Sequence, residues 1–126
     1  AHMQQVISES ATIAFLNTVK LDHAVWKQQV YLQIQHSRFA ESVNSHAECR
    51  LGKWYNEGDG KKYYSHLRSY KLLDAPHRLV HESGREALAL GGKGDAAAMT
   101  QALIKMEQAS QQVTEIISQL QNELHQ

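Results

Sequence analysis

The chain has 126 residues, a length that suits one domain and is sufficient to bury a hydrophobic core. Its 13 basic and 13 acidic residues balance, which argues against nucleic acid or an anionic membrane as a partner. The sequence contains no apolar run approaching the roughly 20 residues of a membrane span, and no signal peptide. A single cysteine cannot form an internal disulfide, which fits a reducing cytoplasm, and eight histidines are the first compositional indication of a metal.

The first three residues, 1–3, resemble a remnant of cloning and are left out of the fold prediction. Residues 4–126 are then expected to form one domain that has been excised from a larger protein.

The predicted fold class is all-α, because proline occurs once and strand patterns are absent. We predict an antiparallel four-helix bundle with an additional short helix that carries the cysteine. The four longer helices are expected over roughly residues 5–37, 61–73, 76–91 and 95–124. Pro76 is placed in the first turn of the third of these helices, where its missing N–H is tolerated.

The first helix has one apolar face that includes a histidine. Phe15, Val19, His23, Trp26 and Val30 recur at spacings of four, four, three and four. This periodicity predicts that His23 points toward the core.

The last helix has the most regular pattern in the chain, a heptad seam in which steps of four and three alternate. Its members are Met99, Leu103, Met106, Ser110, Val113, Ile117, Leu120 and Leu124. The length of this helix favours continuation into another domain or pairing with a second chain. A homodimer is therefore considered, with Leu32, Ile34 and Ile116 as exposed apolar candidates for the contact.

The only cysteine, Cys49, is predicted to lie in the first turns of the short helix. Ser45 and Glu48 fit a capping box at its start. The helix N-terminus, a bound cation and the neighbouring Arg50 and Lys53 are expected to favour the thiolate.

His77 and His81 are four residues apart, so they lie on one helix face and can bind one metal ion. Together with His23 and Cys49 they offer one thiolate and three imidazoles, a complete tetrahedral set for zinc. Thiolate and imidazole suit zinc better than magnesium, calcium or manganese, with copper(I) as an alternative.

Three segments, residues 21–27, 48–55 and 76–84, together resemble the CZB family of chemoreceptor zinc-binding domains. The shared pattern is a histidine, then Cys-x-Leu-Gly-x-Trp-Tyr, then His-x-x-x-His, and it extends from about residue 12 to residue 90. The resemblance implies one zinc per chain, held by His23, Cys49, His77 and His81. Residues expected to pack around or support these ligands are Asp22, Trp26, Gly52, Trp54, Tyr55 and Gly84.

The resemblance also implies a cytoplasmic sensory role. Members of the family are described as sensing zinc, and some as sensing hypochlorous acid through the cysteine, here Cys49. The output is usually a chemoreceptor signalling domain or a diguanylate cyclase, and this sequence looks closer to the chemoreceptor-linked branch. We expect loss of zinc or oxidation of Cys49 to loosen residues 46–56 most, because a short helix has few other contacts.

Two other functions are weighed against sensing. An enzyme is disfavoured because four ligands close the zinc shell and Glu82 lies on a different helix face from His81. A helical interaction module with a purely structural zinc stays open. The remaining histidines that match no family position are expected at the surface, namely His36, His46, His66 and His125.

Overall fold

The fold is given by a computed structural model, which describes residues 2–43 and 49–125. Within those ranges the chain forms four α-helices and one short π-helix, with no strand. The helices are α1 (His2–Gln35), α2 (Arg50–Asn56), the π-helix (Gly60–Tyr64), α3 (Arg68–Gly92) and α4 (Ala96–His125). The predicted all-α class is confirmed. None of these helices is long and apolar enough to cross a membrane.

The three long helices form the bundle. α3 and α4 are antiparallel, because the backbone turns between Gly92 and Ala96 and Ser69 meets Glu123 at the opposite end. α1 also runs antiparallel to α4, since Lys20 reaches Ser118 while Lys27 reaches Glu107. It follows that α1 and α3 are parallel, which places their middle turns side by side.

The core lies where the apolar faces of the long helices meet. α1 contributes Leu16, Val19 and Val30, which are fully buried, so the predicted inward face of this helix is confirmed. The heptad seam of α4 is also confirmed, with its buried members extending from Met106 to Leu124. The α3 side of the core consists of Leu73, Val80, Ala87 and Leu88.

The predicted helix break before Pro76 is wrong. α3 is continuous from Arg68 to Gly92 with Pro76 inside it, so the described residues contain three long helices instead of four. An internal proline removes one backbone hydrogen bond and costs about 3 kcal/mol. Leu73 and Val80 on either side are almost completely buried, and packing along this face outweighs the local cost. Residues before α3 form the π-helix instead of the predicted separate α-helix.

The connection between α3 and α4 contains a glycine with positive φ and an aspartate that caps α4. Gly94 has a φ of +79°, a conformation that glycine adopts without strain. The Asp95 Oδ1 atom then accepts a hydrogen bond of 3.1 Å from the backbone N–H of Ala98. Asp95 therefore caps α4 and sets where it starts.

Replacing Asp95 with alanine should lower the free energy of unfolding by about 1 kcal/mol, because the N–H of Ala98 loses its cap. Asp59→Ala is the matched control, since Asp59 precedes the π-helix without a side-chain capping bond. Urea denaturation followed by circular dichroism measures both variants. Equal losses in the two variants would contradict the capping role of Asp95.

Candidate metal centre

His23 lies on the inner face of α1 and is only 7% exposed. Its Nδ1 is 3.1 Å from the carbonyl oxygen of Val19, one turn earlier. A carbonyl only accepts hydrogen bonds, so Nδ1 carries the proton and Nε2 keeps its lone pair. The buried Nε2 has no hydrogen-bond partner among the described residues. Its orientation is therefore set for a metal that is bound through Nε2.

His77 and His81 face the same point from α3. They are 2% and 1% exposed, and their ring centroids are 4.9 Å apart. Residues one turn apart on a helix share a face, and the buried Val80 and Gly84 continue it. The prediction that the two histidines share one helix face agrees with this placement, and the face is buried.

Cys49 is the N-cap residue of α2 and precedes its first turn. Its extended backbone (φ −75°, ψ 163°) lets Sγ accept a hydrogen bond of 3.4 Å from the N–H of Gly52. The sulfur thus takes the position that a serine or aspartate oxygen occupies at most helix starts. The predicted capping box of Ser45 and Glu48 lies outside the described residues.

The four predicted ligands come together in the structure. Their ligand atoms all lie within 4.8 Å of one another, and Cys49 Sγ is 3.1 Å from His77 Nε2. The ring centroid of His23 is 4.9 Å from the ring centroid of His77 and 5.6 Å from that of His81. Tetrahedral zinc with bonds of about 2.0–2.3 Å separates its ligand atoms by roughly 3.3–3.8 Å. Small side-chain rotations therefore close this group around one ion.

The other histidines are separate from this group where they are described. His36 and His66 are exposed, as predicted. The side chains of His46 and His125 lie outside the described set, so their predicted surface position is untested.

Burial controls the protonation of the ligands. Desolvation lowers the pKa of His23, which keeps the imidazole neutral and able to bind a metal. Desolvation also raises the pKa of the Cys49 thiol, although the N–H groups of Gly52 and Leu51 oppose this effect. The N–H groups at the start of α2 favour the thiolate as expected, while burial acts in the opposite direction and has the larger effect on the pKa of the thiol. A bound cation has to supply the remaining stabilisation of the thiolate.

An ion pair between α1 and α2 lies close to the Cys49 thiol. The Arg50 Nε is 3.1 Å from Asp22 Oδ2, so the guanidinium is engaged with the residue next to His23. The Asp22 carboxylate itself contributes to raising the pKa of Cys49. The pair joins α1 to α2 beside an open cleft of about 390 Å³, which is lined by Asp22, Cys49 and Arg50 among others.

Trp26 lines the same cleft and lies against one of the ligands. Its indole lies against the His81 ring, with centroids 4.4 Å apart and planes inclined at 60°. Gly84 provides the space for this indole, since a Cβ there would be 2.5 Å from Trp26 Cη2 and 3.2 Å from Met106 Sδ. Trp26 and Gly84, both predicted to support the ligands, thus pack against each other beside His81.

Trp54 and Tyr55 belong to an aromatic cluster at the opposite end of α2. Tyr55 stacks on Tyr70 with centroids 4.1 Å apart, and the Tyr70 hydroxyl donates to the carbonyl oxygen of Tyr55. Trp54 contacts Phe15 and Tyr64 at centroid distances of 5.8 and 6.0 Å. The assumption that the short helix has few contacts besides the metal is therefore wrong.

Sequence reasoning missed the place of Tyr70 in this cluster. The predicted helix over residues 61–73 contains Tyr70 but ends before Pro76, which separates this tyrosine from His77. Continuity of α3 through Pro76 puts Tyr70 two turns from His77 on the same helix. Tyr55, which follows Trp54 in the sequence, was the one signal that another aromatic residue would stack on this helix.

The fold and this group define a helical metal-binding domain in which one thiolate and three imidazoles converge. The sequence matches the family described as "Chemoreceptor zinc-binding domain" (CZB) over residues 23–88, just over half of the chain. The chain therefore belongs to the CZB family, and its cofactor is zinc. Neither the search of curated proteins nor the search of solved structures found a match.

Gly84→Ala should disturb the contact between Trp26 and His81. Alanine in place of a mid-helix glycine usually stabilises by about 0.5–1 kcal/mol. Here the added Cβ overlaps the indole, and we expect a loss of about 1–3 kcal/mol in the free energy of unfolding. Urea denaturation and tryptophan fluorescence measure the change.

Gly92→Ala is the control for this prediction. Gly92 ends the same helix, and the nearest contact of an added Cβ is Phe39 Cβ at 3.3 Å. Its effect should stay within about 0.5 kcal/mol. A Gly84→Ala protein as stable as the native one, with unchanged fluorescence, would contradict the close packing described for Trp26.

Proposed function

We propose that the domain binds one zinc ion per chain through His23, Cys49, His77 and His81. The observation that carries this proposal is the convergence of the four ligand atoms, from α1, α3 and the start of α2, within 4.8 Å. The buried Nε2 of His23 supports it, because a polar atom in this position is costly unless something binds it.

Cys49→Ala should weaken zinc binding by about 100-fold or more, since it removes one of four bonds in a site worth roughly 10–16 kcal/mol. Competition with a chromophoric chelator measures the affinity. His66→Ala and His36→Ala are the controls, because both side chains are exposed and distant from the group. Undiminished zinc binding by Cys49→Ala would refute the ligand assignment.

The second part of the proposal is that zinc has a sensory role and not a catalytic one. Four protein ligands leave zinc no open position for a substrate or an activated water. Glu82, which follows His81, is exposed and lies 3.9 Å from Arg78, so it is not directed at the ligands as a general base. Zinc bound here would link α1, α2 and α3, and its loss would change how these elements are joined.

Oxidation of Cys49 offers a chemical input to the same site. A thiolate reacts with hypochlorous acid to give a sulfenic acid and chloride, so the sulfur is oxidised, its new oxygen comes from the oxidant, and chlorine leaves reduced. The open cleft beside Asp22 and Arg50 gives a small oxidant access to the sulfur, which is partly exposed. The oxidised sulfur is a weaker ligand, so the oxidant and the zinc concentration both change the zinc occupancy of this site.

The output is proposed from the family. Residues 4–126 would be a single domain of a larger cytoplasmic protein, attached to a chemoreceptor signalling domain or to a diguanylate cyclase. The sequence frame around the ligands favours the chemoreceptor-linked branch. We also propose that the domain works as a homodimer.

The two ends of α2 determine how the site would signal. At the N-terminal end, Cys49 and the Asp22–Arg50 pair tie the helix to α1 and to the ligands. At the other end, Tyr55 and Trp54 are held by the aromatic cluster, which does not depend on zinc. Loss of the Cys49 bond would therefore release one end of α2 and leave the other in place.

Amide hydrogen exchange should show this asymmetry. Removal of zinc, or oxidation of Cys49, should raise exchange most at Gly52 and Lys53, whose N–H groups bond to Cys49. Amides near Tyr55 should change less, and those in the middle of α4 should not change, which provides the internal control. Unchanged exchange at Gly52 and Lys53 would favour the alternative, an interaction module in which zinc is purely structural.

A further inference from the structure

The cleft beside α2 connects the solvent directly to the metal ligands. It has a volume of about 390 Å³, and three of the four ligands, His23, Cys49 and His81, line it. Cys49 is partly exposed, whereas the two histidines are buried, so the ligand group is open on the side of the sulfur. The cleft is therefore a direct route for an ion between the solvent and the site.

Two opposite charges line the same cleft, the Asp22 carboxylate and the Arg50 guanidinium. Each is next to a ligand in the sequence, since Asp22 precedes His23 and Arg50 follows Cys49. Burial has the largest effect on the pKa of both ligands, and the negative charge of Asp22 also acts on each of them. The carboxylate is therefore within electrostatic range of an ion that approaches the sulfur side of the group.

The ion pair between these two residues is poorly shielded from water. Arg50 Nε lies 3.1 Å from Asp22 Oδ2, and the two side chains are 57% and 35% exposed. Ion pairs with this degree of exposure contribute little to stability, so the pair breaks and re-forms readily. An opened pair presents a carboxylate oxygen, which is a zinc ligand, whereas a guanidinium has no lone pair to offer and repels a dication.

A closed set of four protein ligands makes the exchange of an ion slow, because one bond has to break before the solvent can replace it. Zinc can, however, expand its shell to five ligands. A fifth donor that bonds before one of the four leaves therefore lowers the barrier to exchange in both directions. Asp22 has the chemistry for this role and lines the open side of the site.

We propose that Asp22 is the entry and exit ligand of the zinc site and that Arg50 restrains it. On entry, the carboxylate gives up its bond to Arg50, binds the ion in place of water and passes it to Cys49 and the three histidines. The thiol proton of Cys49 goes to the solvent as the sulfur bonds. On exit the same bonds form and break in reverse order, and Asp22 returns to Arg50.

Stopped-flow mixing measures both rate constants, association from zinc added to the metal-free domain and dissociation from the zinc-loaded domain in excess chromophoric chelator. Asp22→Asn removes the carboxylate at nearly constant size, and both rate constants should fall about tenfold. Arg50→Gln removes the restraint, and both should rise about threefold or more. Asp22→Glu keeps a carboxylate and should retain most of the native rates. The equilibrium affinity should change less than the rates in each variant.

The direction of the change in dissociation separates this role from two simpler ones. If the Asp22 charge merely stabilises bound zinc, Asp22→Asn should speed dissociation and Arg50→Gln should slow it. If the pair merely fixes α2 to α1, both variants should speed dissociation. Either pattern would overturn the inference.

The Arg78–Glu82 pair on α3 is the matched control. Its atoms are 3.9 Å apart, its residues follow the ligands His77 and His81 in sequence, and neither is among those that line the cleft. Arg78→Gln and Glu82→Gln make the same charge changes and should alter the rate constants by no more than about twofold. Changes as large as those at Asp22 and Arg50 would also overturn the inference.

The inference rests on the zinc binding proposed above, and the two fail differently. A native domain that binds no zinc refutes both. Zinc bound with native affinity in Asp22→Asn and Arg50→Gln, at unchanged rates, refutes only the role of Asp22 and leaves the four ligands in place. Circular dichroism and zinc content check that each variant is folded and loaded.

Discussion

The structure depends on one constraint: four side chains that can bind zinc meet in the interior, although they come from separate parts of the chain. Buried imidazoles without partners destabilise a fold by about 1–3 kcal/mol each. His23 bears this cost at Nε2, because Val19 occupies only its other ring nitrogen. An ion at this point would offset the cost and join α1, α2 and α3, so the metal is part of the tertiary structure in our account.

The Cys49-bearing helix connects this constraint to function. α2 has seven residues, too few to be stable alone, and it is held at both ends by different interactions. The Asp22–Arg50 pair acts at the start, together with the proposed coordination of zinc by Cys49, and the stack of Tyr55 on Tyr70 acts at the end. Such a helix can respond to one chemical change without unfolding of the bundle, which the α3–α4 core stabilises independently.

Much of this arrangement is predictable from local sequence, because it follows from periodicity. The spacing around His23 and between His77 and His81 puts these side chains on buried faces, and the family resemblance supplies the grouping. The continuity of α3 through Pro76 is not predictable in this way, since packing of Leu73 and Val80 decides it. The raised pKa of Cys49 likewise depends on burial, which neighbours in sequence do not determine.

X-ray absorption at the zinc edge of the purified, zinc-loaded domain tests the central claim most directly. Our account predicts one sulfur neighbour at about 2.3 Å and three nitrogen neighbours at about 2.0–2.1 Å. The sulfur shell should be absent from any zinc that Cys49→Ala retains. A native spectrum without sulfur, or one that requires an oxygen ligand from a carboxylate or water, would contradict a closed site of three histidines and Cys49.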